Sequence, residues 1–362
     1  MSSLVGLRVG LVGPLPPPAG GMAMQTRQLA GLLQSAQARV VLVQSNAPYR
    51  PAFVGRLVGV RALARLVPYL VNLWRAAGRS DVMHLMANSG WSWHLFAAPA
   101  IWIAWLRGVP VVVNYRGGEA AGFLARSERL VRVSIRRAAC LIVPSGFLQS
   151  VFGQHGIAAD IVPNIVDLSC FHPASTKPEH PHLLVARNLE PIYDIATALR
   201  AFAQVLARYP HATMTVAGTG PQEAELKALS TSLGIARHVC FSGRLERNAM
   251  AELLRASSVA LNPSLADNMP NSVLEALASG VPVVSTDVGG VPYLVQDGST
   301  ALLVPAGDAD AMAQAAIRVL EAPLLAQQLS QAGLQLVHHF TWSEVGPRLA
   351  AVYAATQTNR RH

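Results

Sequence analysis

Residues 259–286 read VALNPSLADNMPNSVLEALASGVPVVST. Two short apolar runs, "VALNPS" (259–264) and "VPVVST" (281–286), have the character of buried strands, and the stretch between them reads as a loop and a helix. Pro270 suits a first helical turn, Asn268 can cap it, and Gly280 suits the position just past its end. Strand, helix and strand in this order make a βαβ unit, and such units build parallel sheets. Two carboxylates stand in the connection: Asp267 in the loop and Glu275 inside the helix. They could be a catalytic pair, a solvated helix edge or clamps for a polar ligand.

The same alternation runs outward in both directions. Towards the N-terminus, "LRVGLVG" (7–13), "RVVLVQS" (39–45), "DVMHLMA" (81–87), "VPVVVNY" (109–115), "CLIVPS" (140–145) and "ADIVPN" (159–164) read as buried parallel strands separated by helix-length segments. A Pro- and His-rich segment without periodicity, 164–182, reads as a linker. A second series then opens with "HLLVARN" (182–188), "ATMTVAG" (212–218) and "HVCFSG" (238–243), and closes with "ALLVPAG" (301–307) and a final helix over 341–356. The expectation is an α/β protein of two doubly wound, Rossmann-like domains. The first covers 1–175 and the second 176–340, with 341–362 a C-terminal helix packing back toward the first. Ligands of open α/β sheets bind at the carboxyl ends of strands, so a cleft between the two domains is the expected site.

Composition narrows the class. The chain has 362 residues, 51% hydrophobic and 14% charged, which suits folded domains with large cores rather than disorder. Three cysteines, Cys140, Cys170 and Cys240, show no metal-type spacing and fit free thiols in a reducing compartment. The longest apolar run, Leu95–Leu106, contains a proline and falls short of the roughly twenty residues a spanning helix needs. A cytoplasmic location is expected. The net charge of +9 comes mostly from arginines, concentrated in 54–79 and 125–140. Those helices either carry solvated basic faces or meet anionic lipid headgroups at the inner face of a membrane; both readings stay open. No zinc spacing or aromatic RNA-binding pattern points to nucleic acid.

Three further motifs sit at strand ends. Gly20 and Gly21 separate a proline-rich loop from a helix, where backbone amides can approach an anion, although an ordinary tight turn also explains them. Arg187 closes the strand "HLLVARN" and offers bidentate donors to phosphate oxygens; it could equally be an ion-pair partner. Gly218 and Gly220 in "AGTGP" make another glycine turn, for which a plain strand–helix connection suffices. His84 and the His94, Trp91, Trp93 group suit either core packing or substrate contact.

The stretch 263–308, with "PPPAGG", "DVMHL", "VPNIVDLSCFHP", "VAGTGP", "FSGR" and "FTWSEV", resembles the glycosyltransferase group 1 proteins, also called glycosyltransferase family 4. That resemblance implies the GT-B architecture and a retaining, nucleotide-sugar-dependent transfer. It implies that Glu275 holds the ribose hydroxyls and Asp267 the donor sugar. The backbone amides of Asn268, Met269, Pro270, Asn271 and Ser272, as far as each has one, would meet the sugar and diphosphate. Arg187 with Gly20 and Gly21 would neutralise the diphosphate, and Gly218, Gly220 and Arg244 would lie around the nucleotide. No metal or other cofactor is implied. Three positions depart from the pattern: Asp267 where Glu is usual, Tyr193 where Lys is usual, and Arg116 where His is frequent. Arg116 could still polarise the sugar or leaving group.

The resulting expectation is a hexosyltransferase acting from a UDP- or GDP-sugar donor on a saccharide or glycolipid acceptor in polysaccharide or glycoconjugate biosynthesis. An epimerase on the same scaffold and a non-catalytic sugar-nucleotide-binding partner are the alternatives. The missing dinucleotide fingerprint disfavours an oxidoreductase.

Overall fold

The computed structural model describes residues 4–17, 20–48, 61–174 and 178–358. Pro18 and Ala19 of the early proline–glycine loop, 54–60 of the first arginine-rich segment and 175–177 of the linker lie outside them. The chain divides into two compact α/β units, one running up to Asn164 and joined by the C-terminal helix, the other Ile165–Thr341.

The first unit runs β1 (Arg8–Gly13), α1 (Gly21–Ser35), β2 (Arg39–Gln44), α2 (Arg61–Ala77) and β3 (Val82–Ala87). It continues with α3 (Ala98–Leu106), β4 (Val111–Tyr115), α4 (Ala120–Ile135), β5 (Cys140–Val143), α5 (Gly146–Gln154) and β6 (Asp160–Ile161). All strand pairs are parallel, in the order β2-β1-β3-β4-β5-β6. Every residue of β3 and β4 is buried, because helices cover both faces of the sheet.

The second unit runs β7 (His182–Ala186), α6 (Ile195–Arg208), β8 (Thr213–Ala217), α7 (Glu223–Ser232), β9 (Val239–Gly243), α8 (Arg247–Arg255) and β10 (Val259–Asn262). Then come α9 (Asn271–Ala278), β11 (Val283–Thr286), α10 (Val291–Leu294), β12 (Leu302–Val304), α11 (Ala309–Glu321) and α12 (Pro323–Val337). Its parallel order is β12-β11-β10-β7-β8-β9. The last helix, α13 (Trp342–Thr358), packs on β3 and β4.

The twelve strands all lie where apolar runs place them, but several are shorter than those runs. Strands β5, β10 and β12 each stop at the residue before a proline, Pro144, Pro263 and Pro305. Proline has no N–H for the ladder, so the sheet ends and the chain turns away at the carboxyl edge. Helix α9 also starts later than its sequence suggests. Pro270, not Asn268, occupies its N-cap, and no side chain caps it. The amide of Asn268 donates instead to Asp267 Oδ1 at 3.0 Å. The other end is as read: Gly280 has φ +67° past Ser279. The amides of Gly280 and Val281 close back onto Leu277 and Ala276.

Both strand orders reverse direction once. In the first sheet β1 is flanked by β2 and β3, and in the second β7 is flanked by β8 and β10. Such switch points leave a crevice at the carboxyl ends, where loops on either side diverge.

Candidate active site

The switch point of the second unit brings the end of β7 beside the end of β10. Arg187 therefore meets the loop after β10, although Asp267 lies far along the chain. The guanidinium donates from Nε to Asn262 Oδ1 at 2.9 Å and from a terminal nitrogen to Ser264 Oγ at 3.1 Å. It also forms an ion pair with Asp267, both side chains being largely buried. Tyr193 covers its face, with the guanidinium carbon 4.7 Å from the ring centroid. Burial lowers Arg187 to about 10, with Tyr193 and Glu275 working against that shift. Arg187 and Asp267, assigned to different parts of a donor by resemblance, are thus held against each other.

Glu275 stands in contrast. Burial pushes its carboxyl up to about 7, while Arg247 and Arg187 pull it down by less. No described residue hydrogen-bonds to its carboxylate. A half-buried carboxylate left with only distant cations has unused acceptor capacity, the property a hydroxyl-bearing ligand needs. Arg247, at the start of α8, also pairs with Asp167 at 3.4 Å and lies over the Phe171 ring. The motif reading selected Arg244 from this segment and missed Arg247. In the structure Arg244 is exposed, with Thr219 Oγ1 of the "AGTGP" turn 3.5 Å away.

Close backbone approach decides the glycines around this site. A Cβ on Gly218 would lie 1.9 Å from the Arg187 carbonyl oxygen, and one on Gly220 would lie 2.3 Å from that of Leu189. The turn after β8 is therefore wedged against the loop carrying Arg187. Gly289 and Gly290, absent from the sequence-derived site, play the same part after β11. Their Cβ atoms would fall 2.2 Å and 1.7 Å from the carbonyl oxygens of Asp267 and Asn268. The Gly290 amide also donates to the Asp267 carbonyl at 2.8 Å. The Gly-Gly pair was the available signal. Within 268–272, the side chain of Met269 joins the core and Ser272 Oγ is buried with no partner among the described residues.

In the first unit, Arg116 follows β4. It donates from Nε to Asn114 Oδ1 at 3.1 Å and is bonded to Gln25 in the first turns of α1 and to Asn164. Gly20 caps α1 without a side-chain bond and Gly21 begins it; a Cβ at either would meet nothing within 4 Å. Gln25 thus ties Arg116 to the helix that Gly20 and Gly21 open. Burial lowers Arg116 to about 10.

Behind Arg116 the polar chain continues inward. Arginine can only donate, so the Asn114 oxygen faces Arg116 and its NH2 faces His84 Nε2, 3.1 Å away. That nitrogen must accept, which places the His84 proton on Nδ1, 2.8 Å from Tyr353 Oη. His84 is fully buried and pushed down to about 3, first by burial and then by Arg116. It is a neutral support for Arg116 inside the core, with no access to substrate. Trp93 is core as well, whereas His94 contacts Trp91 and Phe123 edge-on.

Comparisons with known proteins give the family and the fold. Residues 171–336 match the glycosyl transferases group 1 model, and residues 20–164 match the glycosyl transferase 4-like domain. The chain is a group 1, family 4-like glycosyltransferase. It is 27% identical to a phosphatidyl-myo-inositol mannosyltransferase of Mycolicibacterium smegmatis, over 96% of this chain and 93% of the relative. A D-inositol 3-phosphate glycosyltransferase of Streptomyces griseus is 32% identical across 49% of this chain and 40% of its own. Among solved structures, a sucrose-phosphate synthase from Thermosynechococcus elongatus superposes with TM-score 0.78 at 21% identity, covering 96% of this chain and 98% of its own. Anabaena HepE in complex with UDP-glucose gives 0.73 at 17% identity, covering 96% and 99%. These likenesses establish the two-domain α/β GT-B fold for this glycosyltransferase.

The tyrosine on Arg187 gives a direct test of where a diphosphate would lie. Tyr193→Lys places a second cation in that turn, and UDP affinity is expected to rise about tenfold with a steeper salt dependence. Uridine affinity should stay level. Calorimetry at two salt concentrations reads both, and unchanged UDP affinity would remove the turn from the diphosphate's surroundings.

Proposed function

We propose that this glycosyltransferase moves a hexose-type sugar from a UDP- or GDP-sugar to a saccharide or glycolipid acceptor, with retention at the anomeric carbon. The reading places it in the cytoplasm at the inner face of a membrane, in polysaccharide or glycoconjugate biosynthesis. One observation carries it: Glu275, an ionisable group on α9 with no hydrogen-bond partner among the described residues, feels the charges of both Arg187 and Arg247. A ribose supplies hydroxyl donors to the carboxylate, and the adjacent diphosphate is matched by Arg187 and the positive end of the α9 dipole.

In this scheme Asp267 has two duties. It holds Arg187 in place, and its remaining acceptor capacity meets hydroxyls of the donor sugar. Arg187 and the α9 N-terminus then stabilise charge on the departing diphosphate, so the proposed reaction needs no metal. The acceptor hydroxyl attacks on the face the diphosphate leaves. UDP is favoured over GDP in this proposal because Anabaena HepE, which shares the fold, forms a complex with UDP-glucose.

A thermal-shift screen of UDP- and GDP-hexoses, followed by transfer to saccharide and glycolipid acceptors, tests the proposal. One donor should stabilise the protein, and nucleoside diphosphate should be released only when an acceptor is present. Turnover of the sugar without acceptor would instead establish the epimerase. Donor binding with no transfer to any acceptor would establish a binding partner.

A further inference from the structure

Helices α2, α3 and α4 pack side by side over the first sheet. Their outward face combines features that a solvated helix layer rarely shows together. Val67, Val71 and Trp74 recur along one side of α2 and are all exposed, Trp74 by 47%. Trp105 and Leu106 end α3 at 50% and 62% exposure, and Leu130 and Val133 continue the apolar strip on α4. These residues form a large apolar face left in solvent, where single scattered residues would need no explanation.

Each tryptophan on this face is matched with an arginine. The Arg107 guanidinium carbon lies 4.8 Å from the Trp74 ring centroid. That of Arg137 lies 3.7 Å from Trp102 and 5.2 Å from Trp105, whose rings are 5.9 Å apart edge-to-face. Arg75 stands in the last turn of α2. The only acid on the three helices is Glu128, and it is already held by Arg132 at 2.5 Å and His155 at 2.9 Å. The face is therefore apolar, aromatic and uniformly cationic.

We propose that the outer face of α2, α3 and α4 docks on an anionic lipid bilayer, with Trp74, Trp105 and Leu106 entering the interface and Arg107 and Arg137 meeting headgroup phosphates. Tryptophan favours the boundary between headgroups and acyl chains, and arginine stacked on an indole keeps its charge at that level. Attraction to anionic lipid adds to the apolar burial. A second copy of the chain fits poorly, because a two-fold contact would set arginines against arginines.

The topology keeps this face apart from the ligand-binding edge. The C-termini of α2, α3 and α4 lead into the amino ends of β3, β4 and β5. Gly20, Gly21 and Arg116 lie at the opposite, carboxyl edge. Docking thus leaves the edge bearing Arg116 uncovered. The inference rests on the membrane-peripheral part of the proposed function and is independent of the transfer chemistry.

The test is co-sedimentation of the full chain with vesicles of pure phosphatidylcholine, and with vesicles of three parts phosphatidylcholine to one part phosphatidylglycerol. Binding is expected only with phosphatidylglycerol and should be released by high salt. Arg107→Gln and Arg137→Gln should each weaken it about fivefold, and Trp105→Ala at least as much. Tryptophan fluorescence should be quenched by brominated phosphatidylglycerol, and less so in Trp74→Phe/Trp105→Phe. UDP affinity by calorimetry should be unchanged in all these variants, which separates failure of docking from failure of the donor site. Absence of phosphatidylglycerol-dependent binding would overturn the proposal. So would a stable dimer in solution that Trp105→Glu dissociates, since that would show the face covered by a second copy.

Discussion

Glu275→Ala is expected to lower affinity for the nucleoside diphosphate by on the order of 100-fold or more, because two charge-assisted hydrogen bonds to vicinal hydroxyls are lost. Isothermal calorimetry with UDP and with deoxy-UDP separates this effect from a general loss of fold. Wild type should discriminate between the two ligands and the variant should not. Equal affinity of wild type and variant for UDP would remove Glu275 from the ribose site. Glu275→Gln should retain part of the binding, since an amide oxygen still accepts one bond.

The same residue should reveal itself in the absence of ligand. Its carboxyl is raised from 4.5 to about 7 by burial, so the folded protein holds this proton more tightly than the unfolded chain does. The stability tied to it is complete below about pH 4.5 and is lost as pH rises through about 7. Glu275→Gln has no such group to ionise. Ligand-free Glu275→Gln should therefore match wild type near pH 4.5 and exceed it near pH 8 by on the order of 1–3 kcal/mol. Urea unfolding at the two pH values measures the difference. A more stable variant that no longer grips nucleotide would show that the unpartnered carboxylate is kept for binding at a cost to the fold.

Arg187→Ala is the second large effect. Affinity for UDP should fall by on the order of 100-fold, while uridine, lacking the diphosphate, should lose about threefold or less. The variant also strands Asp267, whose side chain is only 12% exposed. Removing one partner of such a pair destabilises by about 3–5 kcal/mol. Arg187→Ala/Asp267→Asn relieves that stranded charge and should recover much of the stability without recovering UDP affinity. Equal losses for UDP and uridine would make Arg187 a structural group only.

The strand pattern was legible residue by residue because buried parallel strands are continuous apolar runs, and these runs were separated by helix-length segments. Their ends were less legible: Pro144, Pro263 and Pro305 cut the ladders short at the edge that carries the site. The role of Asn268 was misread for a related reason. A cap is chosen by competition for amides, and the Asp267 carboxylate captured the Asn268 amide itself. Arg247 carried no local mark of its use, and the Gly289–Gly290 doublet marked a tight spot without saying what approaches it. Their meaning lies in what they approach: Glu275 for the arginine, the Asp267 and Asn268 carbonyls for the glycines. His84 had two readings at the sequence level. Its burial among Asn114 and Tyr353 chooses the structural one.

By itself the amino-acid sequence determined two α/β units, the strand–loop–helix that bears Asp267 and Glu275, and the likeness to group 1 glycosyltransferases. Those are properties of periodicity and local motif, which act over a few neighbouring residues. The tertiary structure alone decided that Arg187 binds Asp267 under the ring of Tyr193, that Glu275 has no hydrogen-bond partner among the described residues, and that Arg116 is anchored through Asn114 to a neutral His84. The reason is strand order: β7 lies beside β10 and β3 beside β4, and a hydrogen bond or an ion pair depends on which strands become neighbours, not on how far apart they lie in the chain.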